Sequence, residues 1–163
     1  MEQRDGEAVV ANIHYGGEYE GQLREAQSRG ECPLCKQIRE DPKIIVEHTL
    51  HWYVKRNPYP PYAGEPPHRE GDTRPRAAQA FLIIPFQCIT DTHQLLPEDW
   101  LEVLQLFSQL RGQEGVRGGG LALRFGDPVL SGRTILHLHF HVIVPPPHPE
   151  HLDAVLPVWF PIG

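Results

Sequence analysis

Residues 137–144 read His137-Leu138-His139-Phe140-His141-Val142-Ile143-Val144. Three histidines alternate with large apolar residues, and the β-branched end of the run predicts a strand. Side chains alternate faces along a strand, so the three imidazoles are expected on one face, with Leu138, Phe140 and Val142 on the other. At a rise of about 3.3 Å per residue, His137 and His141 start roughly 13 Å apart. Metal–nitrogen bonds are only about 2 Å long, so three histidines of a regular strand cannot all hold one metal. Two neighbours can, and at least one histidine needs a different job. The alternative is a strand of core histidines, in which each of three clustered rings would need its own hydrogen-bond partner.

Upstream of this run, residues 118–120 are glycines, a strand is predicted through Leu121–Phe125, and a loop from Gly126 to Gly132 returns the chain. Pro97 opens a helix with Glu98 and Asp99 in its first turn. Its apolar stripe reads Trp100, Val103, Leu104, Phe107 and Leu110. Short strands are expected at 43–47, 51–55 and 80–85, and a helix around Tyr19–Gln27 that Gly30 ends. Residues 1–16 are weakly patterned, a strand or a loose arm. Residues 56–79 are rich in proline and charge and are read as an exposed insertion that builds no core.

A chain of 163 residues is long enough for one real core. Its 15 basic and 21 acidic residues give a net charge of −6, which argues against a protein that coats nucleic-acid duplexes. There is no charged-then-apolar leader and no long apolar run, so no membrane contact and a cytoplasmic home are expected. Three cysteines make no disulfide framework. Cys32-Pro33-Leu34-Cys35 reads as a zinc knuckle or a redox pair. The pair follows a helix rather than a strand, which favours zinc.

The pattern His, apolar, His, apolar, His, apolar, apolar resembles the signature of the histidine-triad (HIT) superfamily, in its zinc-bearing Cys-x-x-Cys branch. The resemblance spans about residues 32–145. It implies an α+β fold: a mostly antiparallel five-stranded sheet with one main helix and a short N-terminal helix. On this division, 1–31 is an N-terminal arm and helix, 32–145 the HIT-like domain and 146–163 a C-terminal tail.

The same resemblance implies a structural zinc. The family's pattern places a ligand three residues after the proline of the strand Leu82-Ile83-Ile84-Pro85, and this chain has Cys88 there. The expected ligands are Cys32, Cys35, Cys88 and His137, with His93 as the competitor for Cys88. His139 is the implied nucleophile toward the α-phosphorus of a nucleotide, and His141 an implied donor to the phosphate. Thr134 matches a phosphate-touching hydroxyl of the family, with Ser131 and Gly132 beside it. Arg133 stands where the family has glutamine, and its guanidinium brings five donors to a phosphate. Lys55 stands at the position the family uses to hold the ribose, with Asn57 close by.

The function implied is a nucleotide hydrolase or nucleotidyltransferase working through a nucleotidyl-histidine. Its substrate would be a phosphoramidate, a dinucleoside polyphosphate or a nucleotide sugar, and its assembly a homodimer. Two other readings compete. One is a non-catalytic, zinc-stabilised module that binds nucleotides or partners. The other is a metal-centred enzyme of cupin or carbonic-anhydrase type using His137 and His139.

Overall fold

The apolar runs become strands β1 (Ile45–His48), β2 (Trp52–Arg56), β3 (Gln79–Pro85), β4 (Gly120–Leu123) and β5 (Phe140–Val144). They form one antiparallel sheet in the order β1-β2-β3-β5-β4. The helices are α1 (Gly17–Arg29), α2 (Pro33–Glu40), α3 (Pro97–Gln113) and the single turn α4 (Pro128–Ser131). The structure is a computed structural model, and it describes residues 10, 17–64, 73–160 and 162. The α+β class, the five-stranded sheet and the main helix are those expected from the sequence. Among the described residues no helix is long and apolar enough to cross a membrane.

Alternation along the strands divides the sheet into two buried faces. Trp52, Val54, Phe81, Ile83, Phe140 and Val142 pack against Val103, Leu106 and Leu110 of α3. Tyr53, Leu82 and Ile84 face the other way, with Leu23 and Ala26 of α1 and with Cys32 and Leu34. The register fixes what lies on this second face. Leu82 is opposite Lys55 on one side and His141 on the other, and His141 is opposite Ala122.

Local chemistry sets the element ends. Gly30 leaves α1 with φ +63°, a left-handed conformation that glycine adopts without strain. Pro33 stands in the first turn of α2, whose N-cap is Cys32. Asp127 caps α4 by accepting from the Val129 amide at 2.8 Å. Gly132 then turns the chain at φ +65° toward the histidines.

Four expectations change. The regular strand begins at Phe140, not His137, so the first two histidines lie in the irregular approach to β5. The buried stripe of α3 is Val103, Leu106 and Leu110. Trp100 and Leu104 are 42% and 54% exposed, because the helix covers the sheet with a narrower arc than the apolar residues span. The fourth strand ends at Leu123 rather than Phe125. The proline-rich insertion is not wholly outside the core. Ala63 and Ala77 are buried, Tyr62 bridges Arg76, and Ala63 bridges Val158 of the C-terminal tail. Residues 65–72 of that insertion, and 1–9 and 11–16 of the arm, lie outside the described residues.

Candidate metal centre and active site

Cys32 and Cys35 are placed by the start of α2, Cys88 by the loop after β3, and His137 by the approach to β5. One ligand atom from each falls within 4.8 Å of all the others. His137 Nδ1 is 3.4 Å from both Cys32 Sγ and Cys35 Sγ. In a tetrahedral site with zinc–sulfur bonds of about 2.3 Å and zinc–nitrogen bonds of about 2.1 Å, a sulfur and a nitrogen sit roughly 3.6 Å apart. The donor set and its spacing therefore fit zinc. His93 is not in the cluster. Its side chain is 80% exposed and its Nδ1 lies 3.0 Å from Asp91.

The surroundings fit a thiolate site as well. His137 Nε2 is 2.9 Å from the Pro85 carbonyl oxygen. A carbonyl only accepts, so Nε2 carries the proton and Nδ1 is left to face the cysteines. Hydrogen bonds from Cys35 and Cys88 hold Cys32 far below an ordinary thiol, while the same crowding pushes Cys88 up. The Tyr53 hydroxyl is buried and has no hydrogen-bond partner among the described residues. Burial, then the charge of Cys35, Cys32 and Cys88, raises its pKa. It is an O–H donor beside sulfur atoms that carry negative charge.

His139 and His141 form the next layer, both half-buried, with ring centroids 4.8 Å apart. His139 Nδ1 is 2.8 Å from the carbonyl oxygen of His137. The same acceptor logic puts the proton on Nδ1 and the lone pair on Nε2. Desolvation is the main cause that holds the His139 pKa down, at about 4, with charge on His137 and Arg124 adding to it. His141 is pushed well below its usual range by burial, then by His139 and Arg124. Both rings are neutral near pH 7, which is the nucleophilic form of imidazole.

The expected phosphate and nucleoside residues divide. Ser131 and Thr134 are buried in the loop before His137, and the Ser131 hydroxyl donates to the Asp127 carbonyl at 2.8 Å. Arg133 is not the guanidinium at the lip of a strand that the sequence suggested. It is buried, and its Nη1 donates to the carbonyls of Thr90 at 2.8 Å and Leu136 at 3.2 Å. Its Nη2 donates to the Gly126 carbonyl. These bonds tie the Gly126–Leu136 loop to the segment that follows Cys88, so Arg133 acts as a clamp on the backbone.

Lys55 is 4% exposed, enclosed beneath α2, where its Nζ donates to Gln37 Oε1. Burial lowers its pKa to about 8. Asn57 is half-buried just beyond β2, and its Oδ1 accepts from the Tyr59 amide at 3.0 Å.

Arg124 was not singled out from the sequence. It follows β4 directly, next to Leu123, which is opposite Phe140, and its guanidinium reaches the Gly132 carbonyl and the Phe160 ring. Sequence alone hides this, because seven residues and a turn separate Arg124 from the Gly132 loop. Phe160 of the tail was missed too. It meets His141 edge-on at 4.9 Å and lies under the Arg124 guanidinium at 4.6 Å.

No family model matches the chain. A stretch of 72 residues is 28% identical to an "Uncharacterized HIT-like protein" of Helicobacter pylori (strain ATCC 700392 / 26695), covering 44% of this chain and 69% of that protein. Among solved structures, a histidine triad nucleotide-binding protein from Candida albicans aligns with a TM-score of 0.53 at 18% identity. The alignment covers 82% of this chain and 85% of that one. A "Hit Like Protein" aligns with a TM-score of 0.51 at 22% identity, over 69% and 97% of the two chains. The chain thus has the histidine-triad fold, and the resemblance read from its histidine motif holds.

Proposed function

With the histidine-triad fold as the premise, we propose that this protein is a nucleotide hydrolase or nucleotidyltransferase with His139 as the nucleophile. The observation that carries the reading is the hydrogen bond from His139 Nδ1 to the His137 carbonyl oxygen. It orients the ring and reserves the Nε2 lone pair for attack. A pure binding module has no use for a neutral, oriented imidazole with a free lone pair.

In the first step Nε2 forms a bond to the α-phosphorus and the bond to the leaving group breaks, its electron pair departing with that group. In the second, water or another acceptor forms a bond to the phosphorus and the bond to Nε2 breaks, restoring neutral His139. The donors proposed for the phosphate oxygens are His141 and Thr134, since such transfers depend on positioned donors and charge; Ser131 and Gly132 shape the loop instead, their hydroxyl and amide donating to the carbonyls of Asp127 and Pro128. Asn57 is the proposed nucleoside contact.

Cys32, Cys35, Cys88 and His137 are the residues that would hold a structural zinc, which when bound would join α2, the loop after β3 and the approach to β5. With all four positions taken by protein atoms, no substrate oxygen reaches that site, which argues against the metal-centred alternative.

A homodimer is proposed as well. Trp100 of α3 lines one shallow depression with Leu121 of the edge strand β4 and with Phe125, and all three are exposed, as are Leu101 and Leu104 of α3. Such a face is uncommon on a monomer of this size. A second copy of the chain is the proposed occupant, and the cytoplasm the proposed location. Light scattering at micromolar protein should give twice the chain mass. A monomer there, with Leu121→Arg leaving the mass unchanged, would refute the dimer.

Turnover tests the main reading. Nucleoside phosphoramidates, dinucleoside polyphosphates and nucleotide sugars are to be offered to the wild type and to His139→Ala. The wild type should release a nucleoside monophosphate or its transfer product from at least one class, and the variant should not. Equal turnover by both would dismiss the proposal.

A further inference from the structure

The guanidinium of Arg124 is held from two sides and keeps a donor without an acceptor. Its Nη1 donates to the Gly132 carbonyl at 3.3 Å, and its plane lies over the Phe160 ring at 4.6 Å. Its Nε is buried and has no hydrogen-bond partner among the described residues. No described carboxylate forms an ion pair with it. Phe160 in turn touches His141, and His141 touches His139. A buried donor without an acceptor is costly, and more so when charged, so the position favours an anion. In a chain of net charge −6, a cation without a carboxylate beside the reacting group is not explained by surface composition.

We propose that Arg124, held by Phe160, binds an anionic leaving group and so selects substrates whose attacked phosphorus is joined to a further phosphate. This deepens the nucleotidyl-transfer reading and rests on it. Two departures from the α-phosphorus need different help. An amine leaves a phosphoramidate only if it is given a proton as the phosphorus–nitrogen bond breaks. A phosphate or pyrophosphate leaves with its electron pair on oxygen and needs positive charge nearby instead. Burial, then the neighbouring His139 and Arg124, disfavours a proton on His141, so it is poorly supplied with one for an amine. Arg124 supplies a planar cation with five donors. Phe160 is a positioning residue: its ring fixes the plane of the guanidinium through a cation–π contact.

The test compares diadenosine triphosphate with an adenosine phosphoramidate bearing an alkylamine leaving group. Arg124→Gln should lower kcat/KM on the triphosphate by about 100-fold, and by at least tenfold less on the phosphoramidate. Arg124→Lys should recover part of the loss on the triphosphate only. Phe160→Leu should move the same ratio in the same direction with unchanged metal content. Equal losses on both substrates, or no loss, would overturn the proposal. A second measurement separates it from the reading beneath it: calorimetric binding of inorganic tripolyphosphate to the His139→Ala protein, with and without Arg124→Gln. If the wild type turns over neither substrate but tripolyphosphate binds in an Arg124-dependent way, the nucleotidyl-transfer reading fails and Arg124 stands as an anion site. If that binding does not depend on Arg124, the Arg124 assignment fails.

Discussion

His137 donates a hydrogen bond from its Nε2–H to the carbonyl oxygen of Pro85, 2.9 Å away, and this one bond decides what the rest of the ring can do. Nδ1 is left facing Cys32 and Cys35, each at 3.4 Å. His139 is held in the opposite sense, with Nδ1 as the donor and Nε2 as the free atom. Two histidines separated by one residue thus turn different nitrogens outward, one to the cysteine cluster and one, on the proposed reading, to a substrate.

The metal centre gives the first expectation. Cys88→Ser should lose bound zinc and lower Tm, since the binding energy of such a site is folding energy. A loss of about 4 kcal/mol corresponds to roughly 8–16 °C for a chain of this size. His137→Ala should behave likewise, while His139→Ala keeps both metal and Tm. Elemental analysis of protein purified with reductant, together with thermal melts, checks this. A metal-free wild type would remove the zinc from the account.

Lys55 should make the fold more stable at alkaline pH. Its pKa is lowered by burial from 10.5 to about 8, so below pH 8 the charge is carried in both folded and unfolded states and burial destabilises the fold. Between pH 8 and 10.5 the unfolded chain holds the proton and the folded chain does not, so stability rises with pH across that window. Lys55→Met should remove this rise and stabilise the protein at pH 7 by about 2–3 kcal/mol. Urea titrations at pH 7, 8, 9 and 10 measure it. A lower stability of Lys55→Met at every pH would show that the ammonium group has a partner worth more than its burial costs.

Arg133 should be a stability residue. Its guanidinium serves the carbonyls of Thr90, Leu136 and Gly126, and Arg133→Gln would leave buried acceptors without donors. The expected loss is about 2–4 kcal/mol of unfolding free energy. A variant with unchanged stability and altered kinetics would return Arg133 to the phosphate.

The sheet, the main helix and the clustering of the three cysteines with His137 were legible because each rests on a local pattern. Alternation marked the strands, Pro97 with two acids marked α3, and the spacing of Cys88 after Pro85 followed a family pattern. What stayed hidden depends on contacts between segments far apart in sequence. The burial of Arg133 depends on the Thr90 carbonyl, 43 positions away. The burial of Ala63 depends on the tail at Val158. Arg124 became visible only through its contacts with Gly132 and Phe160. The triad stretch looked like strand throughout, yet His137 turns into the cysteine cluster before β5 begins. A ring tied to both Pro85 and the two cysteines leaves its backbone no freedom to stay in the ladder.

The central claim is that a nucleotide becomes covalently attached to His139. The most direct measurement is intact-protein mass spectrometry of a reaction quenched with base within the first turnover, followed by peptide mapping. The account expects one nucleoside monophosphate added per chain, mapped to His139 and absent from His139→Ala. Rapid turnover with no adduct at any quench time, and with inversion of configuration at a chiral α-phosphorus, would contradict it, because two successive displacements retain configuration and a single direct attack by water inverts it.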